Sequence, residues 1–213
     1  MSSQIDFLAN QAGFESIPVP GADIKLWRNY LNARHSEQLF RYLVRNINFK
    51  QETLNIAGRQ LQTPRLTAFY GEKLLYYSYS GLTSQAVLWP DTLARLAKKV
   101  GDDCGHVFNS VVLNYYRDGN DSMGYHSDDE HCLGRNPVIA SLSLGEERRF
   151  LLKPKAGIDS PDLLHERSRS LSLGNGSLLL MAGATQHNWQ HAVPKQLVSH
   201  SGRINLTFRA IGC

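Results

Sequence analysis

Cysteine is scarce: Cys104, Cys132 and Cys213 are the only three in 213 residues, and no two share a short spacing. That excludes a disulfide framework or a thiolate zinc site and suits a reducing compartment. Long apolar runs are missing too, so no bilayer-spanning helix is expected and a membrane partner is set aside. The opening Met1-Ser2-Ser3-Gln4-Ile5-Asp6 lacks a basic start followed by an apolar stretch, so the expected location is cytoplasmic, or nuclear in a eukaryote, and not secreted. Repeats, low-complexity tracts and a long linker are likewise lacking, which at this length points to a single domain; a monomer is the expected state, though nothing in the sequence fixes it. Charge is not one-sided: 23 Lys and Arg against 19 acids leave +4, a mild lean toward a polyanionic partner.

What is present divides into two halves. Around Ser36, the residues Leu39, Phe40, Leu43 and Val44 share one helical face behind a serine cap. A second helix is predicted from Asp91 as cap, with Leu93, Leu96 and Val100 as its stripe and Gly101 after its last turn. Beyond Gly101 the period becomes two. Val138, Ala140, Leu142 and Leu144 alternate with Ile139, Ser141 and Ser143, while Ile204, Leu206 and Phe208 alternate with Asn205, Thr207 and Arg209. Further strands at 107–116, 149–153, 170–173 and 177–182 give the spacing of a sandwich or jelly roll. The expected fold class is therefore α+β, with helices bracing one face of a sheet. Residues 1–51 read as an N-terminal extension with a helix, 52–90 as a hairpin-bearing segment, and 91–213 as helix plus core.

The chemistry begins at His126-Ser127-Asp128. Residues two apart in extended chain project to one side and can grip a metal from two corners. Two histidines and one carboxylate leave three adjacent octahedral positions open, the arrangement of non-haem Fe(II) oxygenases. Taken alone, His-x-Asp is better read as a solvated turn, since with 8 histidines and 19 acids the pattern arises easily by chance. The third ligand is expected at His191, in Trp189-Gln190-His191-Ala192-Val193-Pro194. His187 competes four residues earlier, but Gly183, Asn188 and Pro194 argue against the helix that would align the two. Near the end, Arg203, Asn205, Thr207 and Arg209 share a strand face. Two guanidiniums with an amide and a hydroxyl between them suit a small dicarboxylate, which arginine binds bidentately. Asn114 and Tyr116 share a face upstream and can complete the same pocket.

At these residues the chain resembles the AlkB family of nucleic-acid dealkylases. The likeness runs from about Pro64 to Phe208 and rests on ordered motifs: Asn114-Tyr115-Tyr116, His126-Ser127-Asp128-Asp129-Glu130, Ile139-Ala140-Ser141-Leu142-Ser143-Leu144-Gly145, His191, and Arg203 to Arg209. The resemblance implies a double-stranded β-helix (jelly-roll) core with Fe(II) held by His126, Asp128 and His191. It implies 2-oxoglutarate held by Asn114, Tyr116, Arg203, Asn205, Thr207 and Arg209, with O2 as oxidant. Arg209 is expected at the distal carboxylate and Arg203 nearer the metal.

The same resemblance assigns the base pocket to Tyr77, Tyr79 and Ser80. Tyr79 would stack on one face of an extruded base and His126 lie on the other, with Asp129 and Glu130 at its polar edge. Tyr76 is expected as a buried strand ring. The hairpin Leu54 to Gln62, turning near Ala57-Gly58, implies a lid over nucleic acid, with Ile56 and Ala57 as wedges and Arg59 and Arg65 at phosphates. The implied activity is oxidative demethylation of bases such as 1-methyladenine and 3-methylcytosine in DNA, with RNA as the second candidate. The alternatives are a hydroxylase of the same chemistry acting on a protein or small molecule, and a nucleic-acid-binding module with a decayed metal site.

Overall fold

The computed structural model describes residues 13–56, 59–79, 82–157, 163, 166–198 and 201–212. The first elements are β1 (Glu15–Ile17), β2 (Asp23–Trp27), α1 (Ala33–Asn46), β3 (Thr53–Ile56) and β4 (Arg59–Gln62). Next come β5 (Leu66–Gly71), β6 (Tyr76–Tyr79), β7 (Leu82–Gln85), β8 (Val87–Leu88) and α2 (Asp91–Cys104). The remainder is β9 (Ser110–Tyr116), β10 (Met123–His126), β11 (Ile139–Gly145), β12 (Arg148–Pro154), β13 (Arg169–Leu173), β14 (Leu178–Ala182), the short α3 (Thr185–Asn188), β15 (Trp189–Val193) and β16 (Arg203–Arg209).

Both expected helices form, but their ends differ from the reading. Helix α1 starts three residues earlier than the proposed serine cap, because the Asn32 side chain accepts from the His35 N–H at 2.9 Å. Ser36 lies inside the helix, where its Oγ donates to the Leu31 carbonyl. Helix α2 has Pro90 at its cap position and Asp91 in its first turn, with no side-chain cap bond. Its end is Gly105 in the left-handed region at φ 65°, so Gly101 is internal. The reason lies in packing: the His106 carbonyl folds back over Gly101, 2.5 Å from where a Cβ would stand, while the His106 N–H donates to the Gly101 carbonyl.

Two sheets form the core. The eight-stranded one has the order β1-β2-β14-β11-β16-β9-β5-β8, and the four-stranded one the order β10-β15-β12-β13. This is the jelly-roll arrangement expected, although β1, β2 and β5, for which the sequence carried no clear alternation, also join the larger sheet. One face of that sheet meets the helices: Leu39 and Leu43 of α1 and Leu93, Leu96 and Val100 of α2 pack with Leu142, Leu144, Leu113, Leu206 and Phe208. Each such buried side chain stabilises by about 1.5–3 kcal/mol relative to exposure. The opposite face looks into the space between the sheets, where Ile139, Met181, Phe150, Leu152 and Trp189 cluster. Strand β16 is buried along its whole length, so its polar face is enclosed rather than wetted.

The expected hairpin at 54–62 is β3 with β4, in register Ile56↔Arg59; its tip, Ala57-Gly58, lies outside the described residues. A second hairpin joins β6 to β7 in register Tyr79↔Leu82, with Ser80-Gly81 outside the described residues. The side chains of Ile56, Tyr77 and Tyr79 lie outside them as well. Tyr76 is 60% exposed, which overturns its expected burial: the β6–β7 hairpin is not packed beneath another layer on that face.

Candidate metal and co-substrate site

His126 closes β10 and His191 stands in β15, and the two are direct cross-strand partners. Antiparallel partners hold their Cβ atoms roughly 4.5–5.5 Å apart, and here the ring centroids are 4.1 Å apart. Asp128 follows two residues after His126, where the chain leaves the strand. Its N–H donates to Gln186 Oε1 at 2.9 Å, and Ser127 Oγ donates to the Trp189 carbonyl at 2.9 Å. These bonds pin the turn against α3 and β15. Potential ligand atoms of His126, Asp128 and His191 consequently lie within 4.8 Å of one another. His187 sits instead against the Arg135 carbonyl.

The cluster's chemistry suits a divalent cation. His126 Nδ1 is engaged with the Gly124 carbonyl at 3.0 Å, so Nε2 is the ring nitrogen that a metal would take. Phe150 stacks on the His191 ring at 5.2 Å and holds its plane. Burial, reinforced by His126 nearby, pushes His191 down to about 3; burial likewise lowers His126. Both imidazoles are thereby kept neutral, the form that ligates metal. For Asp128 burial works the other way, but Arg209 and the two histidines outweigh it and bring the carboxyl to about 2. Its Oδ1 accepts from Arg209 Nη2 at 2.7 Å, whereas Oδ2 is buried with no hydrogen-bond partner. A buried carboxylate oxygen in that state costs free energy unless a cation meets it.

From this cluster a cavity of about 440 Å³ extends between the sheets. Arg203, Asn205, Thr207 and Arg209 of β16 line it, together with Asn114 and Tyr116 of β9, as the alternation predicted. Register explains the convergence: Asn205 pairs with Asn114 on one side and Ser143 on the other, and Arg203 with Tyr116 and Gly145. Asn205 Nδ2 donates to Ser141 Oγ, and Thr207 Oγ1 to Asn205 Oδ1. Arg203, 2% exposed, gives one Nη2 bond to Ser143 Oγ, while its Nε and Nη1 are buried without a hydrogen-bond partner. Burial pushes its pKa down to about 10, with the Tyr116 phenol opposing. A buried guanidinium with two unmet donors is built to receive an anion.

The orientation of the two arginines is the reverse of the one expected. Arg209 touches Asp128 and so stands at the metal end; Arg203, six residues away along the strand, takes the far end. Strand alternation reveals a shared face but not which end meets the ion. Arg65, Asp129 and Glu130 meet surroundings other than those expected. Arg65, expected at a phosphate, is 7% exposed, lines the cavity, and donates from Nε to Asn114 Oδ1 at 2.7 Å. Asp129, expected at a base edge, is exposed and bound by Lys155 at 2.6 Å, outside the cavity wall; Glu130 does not line the cavity either. Arg59 is exposed on β4.

Sequence reading passed over Ser141 and Ser143 as site residues, although their alternation with Leu142 and Leu144 puts them on the face of Asn205. It also passed over Arg148, 1% exposed, whose Nη groups donate to the carbonyls of Asp118, Asp121 and Pro194 and which lies 5.6 Å from the Tyr116 ring centre. No local pattern marks it, because its partners come from two loops remote in sequence, Asp118 and Asp121 before β10 and Pro194 after β15.

The profile of the 2OG-Fe(II) oxygenase superfamily matches residues 23–209. The chain is 41% identical over 184 residues to alpha-ketoglutarate-dependent dioxygenase alkB homolog 3 of Bos taurus, covering 85% of this chain and 64% of the relative. Against the Homo sapiens protein of that name the figures are 38% over 196 residues, 91% and 68%. DNA oxidative demethylase ALKBH2 of Arabidopsis thaliana is 34% identical over 212 residues, covering 90% and 67%. The chain thus spans roughly two thirds of the length of these relatives. Among solved structures, that of OsALKBH1 superposes with a TM-score of 0.64 at 16% identity, over 92% of this chain and 99% of the other.

Proposed function

Because the chain belongs to the 2OG-Fe(II) oxygenase superfamily and, within it, to the AlkB family, we propose that it removes alkyl groups oxidatively from nucleic-acid bases, with DNA as substrate. The observation that carries this reading is Asp128 Oδ2: a buried, unpartnered carboxylate oxygen between two neutral histidines, at one end of a cavity whose other end presents Arg203.

His126, Asp128 and His191 would hold Fe(II), and Arg203, Asn205, Tyr116 and Asn114 would hold 2-oxoglutarate, Arg203 at its distal carboxylate. When bound, the metal with 2-oxoglutarate and O2 supplies the oxidant that hydroxylates an N-methyl carbon, after which the methyl leaves as formaldehyde. The protein's own work is placement. Arg209 holds Asp128 in its ionised form by donating to Oδ1, which leaves Oδ2 as the oxygen that would meet the ion. Gln186 and Ser127 fix the turn that carries the carboxylate, and Phe150 fixes the His191 ring. The aliphatic and aromatic wall of Phe69, Phe150, Met181 and Val193 excludes water from the reacting centre.

The test is a methylated oligonucleotide incubated with the protein, Fe(II), 2-oxoglutarate and air. Formaldehyde and succinate should appear in equal amounts, and Asp128→Ala should abolish both. Undiminished formaldehyde from Asp128→Ala would sink the ligand assignment.

A further inference from the structure

The cavity is larger than the metal and its co-substrate require, and its outer part has its own walls. One wall is the extended segment carrying Asn48, Lys50, Glu52 and Leu54; the other carries Thr63, Arg65 and Thr67. In each, every second residue faces the cavity, as an extended chain dictates. The two segments are tied by backbone bonds between Lys50 and Thr67 in both directions and from the Thr63 N–H to the Glu52 carbonyl at 2.8 Å, with Gln51 Nε2 donating to the Thr63 carbonyl at 2.9 Å. The base of Glu52 is thereby held in a fixed place.

Among the described residues, the cavity lining contains two carboxylates, Asp128 and Glu52. Asp128 is committed to the metal and Arg209. Asp129, the residue expected to favour a cationic base, is outside the lining and neutralised by Lys155. Glu52 is half-buried, and among the described residues no cation stands within ion-pair distance of it. The positive groups on the same walls do not cancel it: Arg65 turns its Nε to Asn114, and Lys50 is exposed, where water and salt screen its charge.

We infer that Glu52 is the specificity-determining residue that selects cationic alkylated bases, resting on the dealkylase reading above. Protonated-like lesions such as 1-methyladenine and 3-methylcytosine carry a full positive charge spread over a ring nitrogen and an exocyclic amino group. A carboxylate accepts from that amino N–H and compensates the charge in a partly desolvated site. Neutral lesions carry no charge for it to compensate and place a carbonyl oxygen beside the methylated nitrogen, on one side in 1-methylguanine and on both sides in 3-methylthymine, which the same carboxylate repels. Glu52 therefore discriminates in both directions, by attraction of one class and repulsion of the other.

The experiment compares wild type with Glu52→Gln on single-stranded oligonucleotides bearing each of the four lesions at neutral pH, reading formaldehyde and the KM for 2-oxoglutarate. The ratio of kcat/KM on cationic to neutral lesions should fall roughly tenfold or more in Glu52→Gln, the size of one charge-assisted hydrogen bond. The KM for 2-oxoglutarate should hold, reporting an intact fold. An active enzyme whose ratio is unchanged, or whose activity falls equally on both classes, overturns the role of Glu52 alone. A wild-type protein that decarboxylates 2-oxoglutarate but yields formaldehyde from no lesion removes the dealkylase reading and this assignment with it.

Discussion

At the scale of single residues, the two arginines of β16 show how position along a strand separates roles that chemistry alone would equate. Arg203 has two unmet donors at the far end of the cavity, whereas Arg209 is bonded to a proposed metal ligand. Arg203→Met should therefore raise the KM for 2-oxoglutarate by about tenfold to a hundredfold, the loss of a charge-assisted bond, with a smaller effect on Fe(II) affinity. Arg209→Met should weaken Fe(II) more, because it strips a buried carboxylate of its partner. Titrations of both ligands decide it, and the same split for both variants would defeat the assignment. The proposed ligand residues were legible in the sequence because His126, Asp128, His191, Arg203 and Arg209 occur in a set order with the right alternation. The placement of Arg65 and Asp129 was not, since Asn114 and Lys155, which capture them, are 49 and 26 residues away in the chain.

Elements carry the next level of constraint. The helical stripes gave both helices from sequence alone, and their ends were misjudged because end signals are single residues that a nearby backbone can override. Gly101 is the instructive case. Alanine there would gain about 1 kcal/mol of helix propensity over glycine, but its Cβ would meet the His106 carbonyl at 2.5 Å. Backbone cannot step aside as a flexible side chain would, so the overpacking cost of about 1–3 kcal/mol prevails. Gly101→Ala should thus lower the urea midpoint; an unchanged or higher midpoint would contradict this account of the turn. The strands β11, β14 and β16 were readable because they alternate, or run apolar, over five or more residues. Strands β1, β2 and β5 were hidden: β2 acquires its meaning only by pairing with β14, more than 150 residues later.

For the molecule as a whole, the proposed site joins both sheets, with two ligands and the turn on the smaller and the arginines on the larger. A ligand that bridges them binds only the folded state, so Mn(II) as a redox-inert stand-in should raise the melting temperature, and 2-oxoglutarate should raise it further. At a hundredfold excess over Kd each contributes about 2.7 kcal/mol, a shift of several degrees at this size. No shift with metal would count against the triad. The buried Asp128–Arg209 pair adds a final consequence. Since those two charges already cancel, the ion would add positive charge to a chamber that already holds the Arg203 guanidinium, and the dicarboxylate would bring the opposite charge to both. Occupancy should accordingly be cooperative, the first arrival making room, electrostatically, for the second.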